Sequence, residues 1–196
     1  FSRFLQRLRV LDVVVFDPVL LALMGREASD EADRIAAAEA IESYLVRRMV
    51  CGYQTRGYGA LALRLLKAMR NADPDGPVAP AIAAELATAV GGADSWPDDA
   101  EFRTQWRQRK FYNGLRRDRV LMILQAIEEA LQAKNEKGEP ILTFDLARLQ
   151  IEHVMPQGWQ EHWPIIDEDV TAEQRTWAVD GIGNLTLVSS KLNPSL

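Results

Sequence analysis

The sequence predicts a mainly α fold: a helical, bundle-like module over residues 1–140, followed by a small strand–strand–helix core over residues 141–196. Three observations predict it. Apolar residues recur at helical spacing through residues 1–135. At Asn135-Glu136-Lys137-Gly138-Glu139-Pro140 the texture changes to short apolar runs bounded by turn residues. The remainder then reads strand, long connection, strand and helix start.

The first well-marked helix opens at Ser29-Asp30-Glu31, an N-cap followed by first-turn acids, and carries Ile35, Ala38, Ile41, Leu45 and Met49 on one stripe. Arg47 and Arg48 suit the negative end of its dipole, and Gly52 is a natural stop. A second helix is expected from Tyr58 to Arg70, with Leu61, Leu63, Leu65 and Leu66 as its apolar residues. Asp73-Pro74-Asp75-Gly76-Pro77 is a turn, and a helix from Val78 to Val90 ends at Gly91-Gly92. Trp96-Pro97-Asp98-Asp99-Ala100-Glu101 starts another, with Asp98 as cap and Glu101 in position for a capping box. A long helix over 118–134 turns Leu121, Ile123, Leu124, Ile127 and Leu131 inward. Beyond residue 140, Ile141–Phe144, Leu149–Val154 and Leu185–Val188 are strand-like. Asp180-Gly181-Ile182-Gly183 is a turn. Asn193-Pro194 pairs a preferred N-cap with the residue favoured at the first helical position, so a helix is expected there.

Composition narrows the class. Hydrophobic content of 47% and charged content of 26% are those of an ordinary globular protein, in a chain of 196 residues. Charged residues interrupt every apolar run before it reaches the roughly 20 residues of a membrane span. The apolar first 25 residues contain Arg3, Arg7, Arg9 and Asp12 and no small-residue cleavage site, which argues against a signal peptide. The single cysteine, Cys51, rules out an internal disulfide and suits a reducing cytoplasm. One cysteine and two histidines cannot supply a Cys-rich zinc site plus a base. Phe1 is not a natural start and Leu196 is an abrupt end, so the chain reads as a piece of a longer protein.

Within this frame, Ile151-Glu152-His153-Val154-Met155-Pro156-Gln157 concentrates the chemistry. Imidazole titrates near neutrality and can take a proton from water, while Glu and Asn oxygens are hard ligands for Mg²⁺. Asn184, in Gly183-Asn184-Leu185-Thr186-Leu187, and Asn193 complete the parts of a metal-dependent phosphodiesterase. A lone histidine on an apolar strand is ordinarily a packing residue. Here the Glu neighbour, the Pro at its offset and the two spaced Asn residues argue for a site. His162 lies in the long connection and reads as a surface or packing residue. Adjacent strand residues point to opposite faces, so Glu152 and His153 can share a site only if the strand ends or kinks there, which Pro156 favours.

This arrangement resembles the ββα-metal, HNH or His-Me finger nucleases, in which an acid-His-x-x-Pro strand precedes an Asn-bearing strand and a helix-proximal Asn or His. Glu152-His153-Val154-Met155-Pro156-Gln157 with Gly183-Asn184-Leu185-Thr186-Leu187 and Leu192-Asn193 is similar to the C-terminal nuclease domain of GmrSD-type restriction proteins. The phosphorothioation-dependent SspE-like antiphage proteins share that domain. Upstream, Tyr44–Gly52 and Trp96–Phe102 resemble the helical segments that precede the motif, so the likeness extends over nearly the whole chain. The resemblance implies His153 as general base and Glu152 and Asn193 as ligands of one divalent cation, Mg²⁺ or Mn²⁺. It implies Asn184 as the residue that fixes the loop carrying His153. It also implies phage DNA as substrate, nicked or cleaved, and control by an N-terminal nucleotide-hydrolysing domain. Glu152 is longer than the Asp common in HNH proteins, so its ligation could run through water. Leu196 follows shortly after Asn193, so most of the helix completing the metal site lies beyond this piece, which on its own could be inactive.

The formal net charge is −5, yet residues 103–119 hold Arg103, Arg107, Arg109, Lys110, Arg116, Arg117 and Arg119 against the single acid Asp118. Trp106, Phe111 and Tyr112 are interleaved with them. Such a segment is more often a solvated helix face than a binding site, and the nuclease motif raises contact with the DNA phosphates to equal standing with it. Arg47 and Arg48 read as buried against acids or as DNA contacts. The five tryptophans read as packing residues, with base stacking the alternative. The competing class is a non-catalytic DNA-binding or regulatory module that keeps the HNH scaffold and docks on the nucleotide-hydrolysing domain.

Overall fold

The computed structural model describes residues 1–134, 149–166 and 169–189. Among these are eight α-helices and one two-stranded sheet, a mainly helical protein as expected. The chain divides into two compact units, Phe1–Trp106 and Arg107–Leu196. The boundary expected at residue 140, the strand expected over 141–144 and the helix expected from Asn193 all lie outside the described residues. Among the described residues no helix is long and apolar enough to cross a membrane.

The first unit contains α1 (Ser2–Leu11), α2 (Asp17–Met24), α3 (Glu31–Val50), α4 (Tyr58–Asn71), α5 (Ala79–Ala87) and most of α6 (Asp99–Gln108). The start of α3 follows from its cap: Asp30 Oδ1 accepts the Asp33 N–H at 2.8 Å. Its end follows from Gly52, which takes a φ of 77° that a side chain would resist. Between them Ala37, Ala38, Ile41, Tyr44 and Leu45 form a fully buried stripe that packs on α5. At α6, Asp98 Oδ1 accepts the Glu101 N–H at 2.8 Å, so the capping residue lies where the sequence places it.

Asp33 links two helices. Its carboxylate receives the N–H groups of Val78 at 3.0 Å and Ala79 at 2.8 Å, capping α5 from within α3. Burial works against its charge, but the Ser29 hydroxyl, these two backbone bonds and the Arg26 guanidinium outweigh that and hold the carboxyl below its usual value.

Three details refine the expected helices. In α4 the buried residues are Leu61, Ala62, Leu65 and Met69, whereas Leu63 is 69% exposed. Two residues along a helix turn the side chain by about 200°, which carries Leu63 off the buried stripe of Leu61. α5 stops at Ala87 rather than Val90, because the Thr88 hydroxyl donates to the Glu85 carbonyl at 2.7 Å and the backbone tightens into a turn. Leu131 faces solvent rather than the core, since the buried residues of its helix are Val120, Met122, Ile123 and Leu124 and Leu131 lies in the last turn.

The second unit contains α7 (Arg117–Ala133), β1 (Leu149–His153), α8 (Ala172–Val179) and β2 (Leu185–Ser189). β1 and β2 pair antiparallel, from Leu149 opposite Ser189 to His153 opposite Leu185. α7 packs on β2, and Leu149, Ile151, Leu185, Ile123 and Leu124 are buried. The connection expected between the strands is not all loop, because it contains α8. Thr171 and Gln174 form a reciprocal capping box at its start, a local signal present in the sequence as Thr171-Ala172-Glu173-Gln174.

Candidate active site

β1 ends at His153, ahead of Pro156, whose ring cannot extend the ladder. The chain leaving the strand is held by Asn184, which precedes β2. Asn184 Oδ1 accepts the Met155 N–H at 2.8 Å, and its Nδ2 donates to the Met155 carbonyl and the Val179 carbonyl, both at 3.0 Å. The Asn184 carbonyl accepts the Val154 N–H at 2.9 Å. One side chain thus ties the segment after His153 to the end of α8. All the polar atoms of its amide group are used inside the protein.

The imidazole of His153 is only 8% exposed. Its ring meets Tyr112 edge-on, with centroids 4.4 Å apart at 68°. Its Nε2 lies 3.9 Å from Asp180 Oδ1 and has no hydrogen-bond partner among the described residues. Asp180 is itself buried at the C-terminal end of α8. Its Oδ2 accepts from Asn113 Nδ2 at 3.0 Å and lies 3.9 Å from Lys110 Nζ. Its backbone carbonyl accepts the N–H groups of Phe111 at 2.7 Å and Tyr112 at 3.1 Å, which draws the turn after α6 onto the histidine. Tyr112, Asn113 and Asp180 are therefore residues of the site that the sequence did not single out. Asp180 read there as a turn residue, and nothing local marks its approach to His153.

Alternation along β1 sets Leu149, Ile151 and His153 on one face and Gln150 and Glu152 on the other. Glu152 is half-buried and stands opposite Thr186. Its carboxylate is a hard donor of the kind Mg²⁺ takes. The second expected ligand, Asn193, lies outside the described residues. Among the described residues no group of three or more His, Cys, Asp or Glu is placed to hold a metal ion.

The basic segment 103–119 is not one helix face. It runs from the end of α6 through a turn to the start of α7. Several of its cations are engaged: Arg103 lies 3.7 Å from Asp99, Arg109 donates to the Gly114 carbonyl at 3.3 Å, and Arg116 pairs with Asp118. Arg116 in turn holds the Asp118 carboxyl below its usual value. Arg107 and Arg117 are exposed, and Arg119 is half-buried. Lys110 is the cation placed beside His153's neighbours, with its Nζ 4.6 Å from the centroid of the Trp177 ring. Trp177 donates its indole N–H to the Gln108 carbonyl at 2.7 Å and is half exposed. His162 is exposed, as expected.

Arg47 and Arg48 are both taken up inside the first unit. Arg47 bonds Asp99 at 2.6 Å, and Arg48 is buried on three backbone carbonyls rather than on an acid or a surface.

No curated protein and no solved structure matches the chain. A family model does, that of the C-terminal domain of GmrSD restriction endonucleases, over residues 96–196. The match takes in β1, Asn184, β2 and the basic segment, and it begins at Trp96, so the likeness expected over residues 44–52 falls outside it. It spans a little over half of the 196 residues. This chain belongs to the family of GmrSD restriction endonuclease C-terminal domains.

Proposed function

We propose that this chain is the metal-dependent, HNH-type endonuclease part of a cytoplasmic phage-restriction protein, and that His153 is its general base. The observation that carries the reading is the Asn184 clamp. It fixes the segment leaving His153 at the end of a strand hairpin, within a domain of the restriction endonuclease family. Membership of that family supports DNA as substrate and a divalent cation as cofactor in general terms.

In the proposed reaction His153 takes a proton from water as the water oxygen bonds to phosphorus and the bond from phosphorus to the 3′ oxygen breaks. The 3′ oxygen then collects a proton from solvent, leaving a 5′ phosphate and a 3′ hydroxyl. Glu152 and Asn193 would hold one Mg²⁺ or Mn²⁺. When bound, such a cation supplies positive charge against the charge that builds on the phosphoryl and leaving oxygens. Tyr112 limits the swing of the imidazole, and Asn184 fixes the chain beside it. The exposed cations Arg107, Arg116 and Arg117, with Lys110, would hold the DNA backbone without reading sequence. Arg103, Arg109 and Arg119 belong to the same proposed path. An N-terminal nucleotide-hydrolysing domain of the same protein is the proposed partner that controls cutting.

The second reading, a DNA-binding or regulatory module without catalysis, is favoured by the position of Glu152 on the face of β1 opposite His153. Supercoiled plasmid incubated with the intact protein and Mg²⁺ or Mn²⁺ separates the two. Nicked or linear product is expected, and DNA that is bound yet uncut with either cation establishes the second reading. Charge reversal at Arg116 and Arg117 together is expected to weaken DNA binding and flatten its dependence on salt, as two phosphate contacts are lost. An unchanged salt slope in a binding titration removes these residues from the DNA path.

A further inference from the structure

We infer that Asp180 is a positioning residue for His153: it receives the imidazole's Nε2–H and thereby turns Nδ1 toward the water. The inference rests on the nuclease reading for its consequence, and on geometry for its substance.

A carboxylate oxygen only accepts hydrogen bonds, so a nitrogen facing it is best satisfied as N–H. In a neutral imidazole, a proton on Nε2 leaves the lone pair on Nδ1. His153 Nε2 is buried, without a hydrogen-bond partner among the described residues, and the carboxylate oxygen Asp180 Oδ1 lies 3.9 Å away. A buried polar nitrogen in that condition is costly, and a shift of about 1 Å would bring the two within bonding distance. Catalytic hydrogen bonds are often long before substrate arrives and tighten in the complex.

The carboxylate is also held from its other side. Asn113 donates to Oδ2 at 3.0 Å, and Lys110 Nζ lies 3.9 Å from the same oxygen, so Oδ1 is the oxygen left for the ring. Asn184 ties Met155 to Val179, the residue before Asp180, and so couples the histidine segment to the carboxylate's own backbone. Tyr112 stands against the ring edge, and its N–H is bonded to the Asp180 carbonyl. Each contact restrains the imidazole relative to Asp180 and to no other acid within ion-pair distance among the described residues.

The wild-type intact protein supplies the first test. Nitrogen-15 spectra at a pH where the ring is neutral, assigned against His153→Ala, are expected to show His153 protonated at Nε2. A ring protonated at Nδ1 overturns the inference, whether or not any variant folds. The second test is Asp180→Asn. Its amide offers the ring either a neutral, weaker carbonyl acceptor or an N–H donor, so a mixed tautomer is expected. The turnover number is expected to fall by roughly 10–100-fold, with KM, DNA affinity and Tm unchanged. A folded Asp180→Asn protein that turns over like wild type overturns the inference, even when His153→Ala is dead and the nuclease reading stands. A wild-type protein that never cuts DNA defeats the nuclease reading instead, and the tautomer still reports on Asp180.

Discussion

His153→Ala is expected to slow DNA cutting by about 10²–10⁴-fold, the usual contribution of a positioned proton acceptor. Two features make the substitution informative. The ring lies at the end of β1, where its backbone pairs with Leu185, and that pairing survives the change. The bonds of Asn184 to Met155 and Val179 do not involve the imidazole, so the loop keeps its anchor. DNA affinity is therefore expected to hold, because none of the exposed cations touches the histidine, and the loss should appear in the rate of the bound complex. Single-turnover cutting with saturating protein reads that rate. Equal rates for wild type and variant would remove His153 from the chemistry.

The second large effect concerns folding. Arg48 is 2% exposed. Its Nη1 donates to the Ser95 carbonyl at 2.6 Å, and its Nη2 donates to those of Gln54 at 2.6 Å and Ala93 at 2.8 Å. The guanidinium also lies 5.0–5.5 Å from the ring centroids of Tyr44, Tyr53 and Tyr58. It thereby joins α3 to the turn after it and to the 93–95 segment. Arg48→Ala takes the donor from three part-buried carbonyl bonds and leaves a cavity where the buried side chain stood, and is expected to cost about 3–5 kcal/mol, a large share of a typical domain's stability. Arg48→Lys is expected to recover little, since a single ammonium cannot fork to the three carbonyls. Urea unfolding curves of the two variants check this. A midpoint close to wild type for Arg48→Ala would show that the carbonyls find other donors.

How much of this was legible in the sequence depends on how local each feature is. Helix starts at Asp30 and Asp98 were legible because a cap is a contact between residues three apart. The hairpin strands were legible because alternation and bounding turns are also local. α8 carried an equally local signal in Thr171 and Gln174, which the strand-poor, acidic surroundings obscured. Arg48 was not legible, because nothing near it in sequence says that carbonyls 45 and 47 residues away will receive it. The same holds for Asp180, Asn113 and Tyr112, which reach His153 only when α8 and the turn after α6 meet β1. The sequence motif marks the proposed reacting residues, and the tertiary fold supplies the residues that hold them.

In the proposed mechanism, water activated at His153 attacks phosphorus in DNA. Plasmid cut by the intact protein in oxygen-18 water with Mg²⁺ tests it most directly, by mass analysis of the new ends. The expected products are 5′ phosphates that each carry one labelled oxygen and 3′ hydroxyls without label, formed at least about 10²-fold more slowly by His153→Ala. Unlabelled 5′ phosphates, 3′ phosphates, or labelled ends formed by His153→Ala at the wild-type rate would overturn this mechanism.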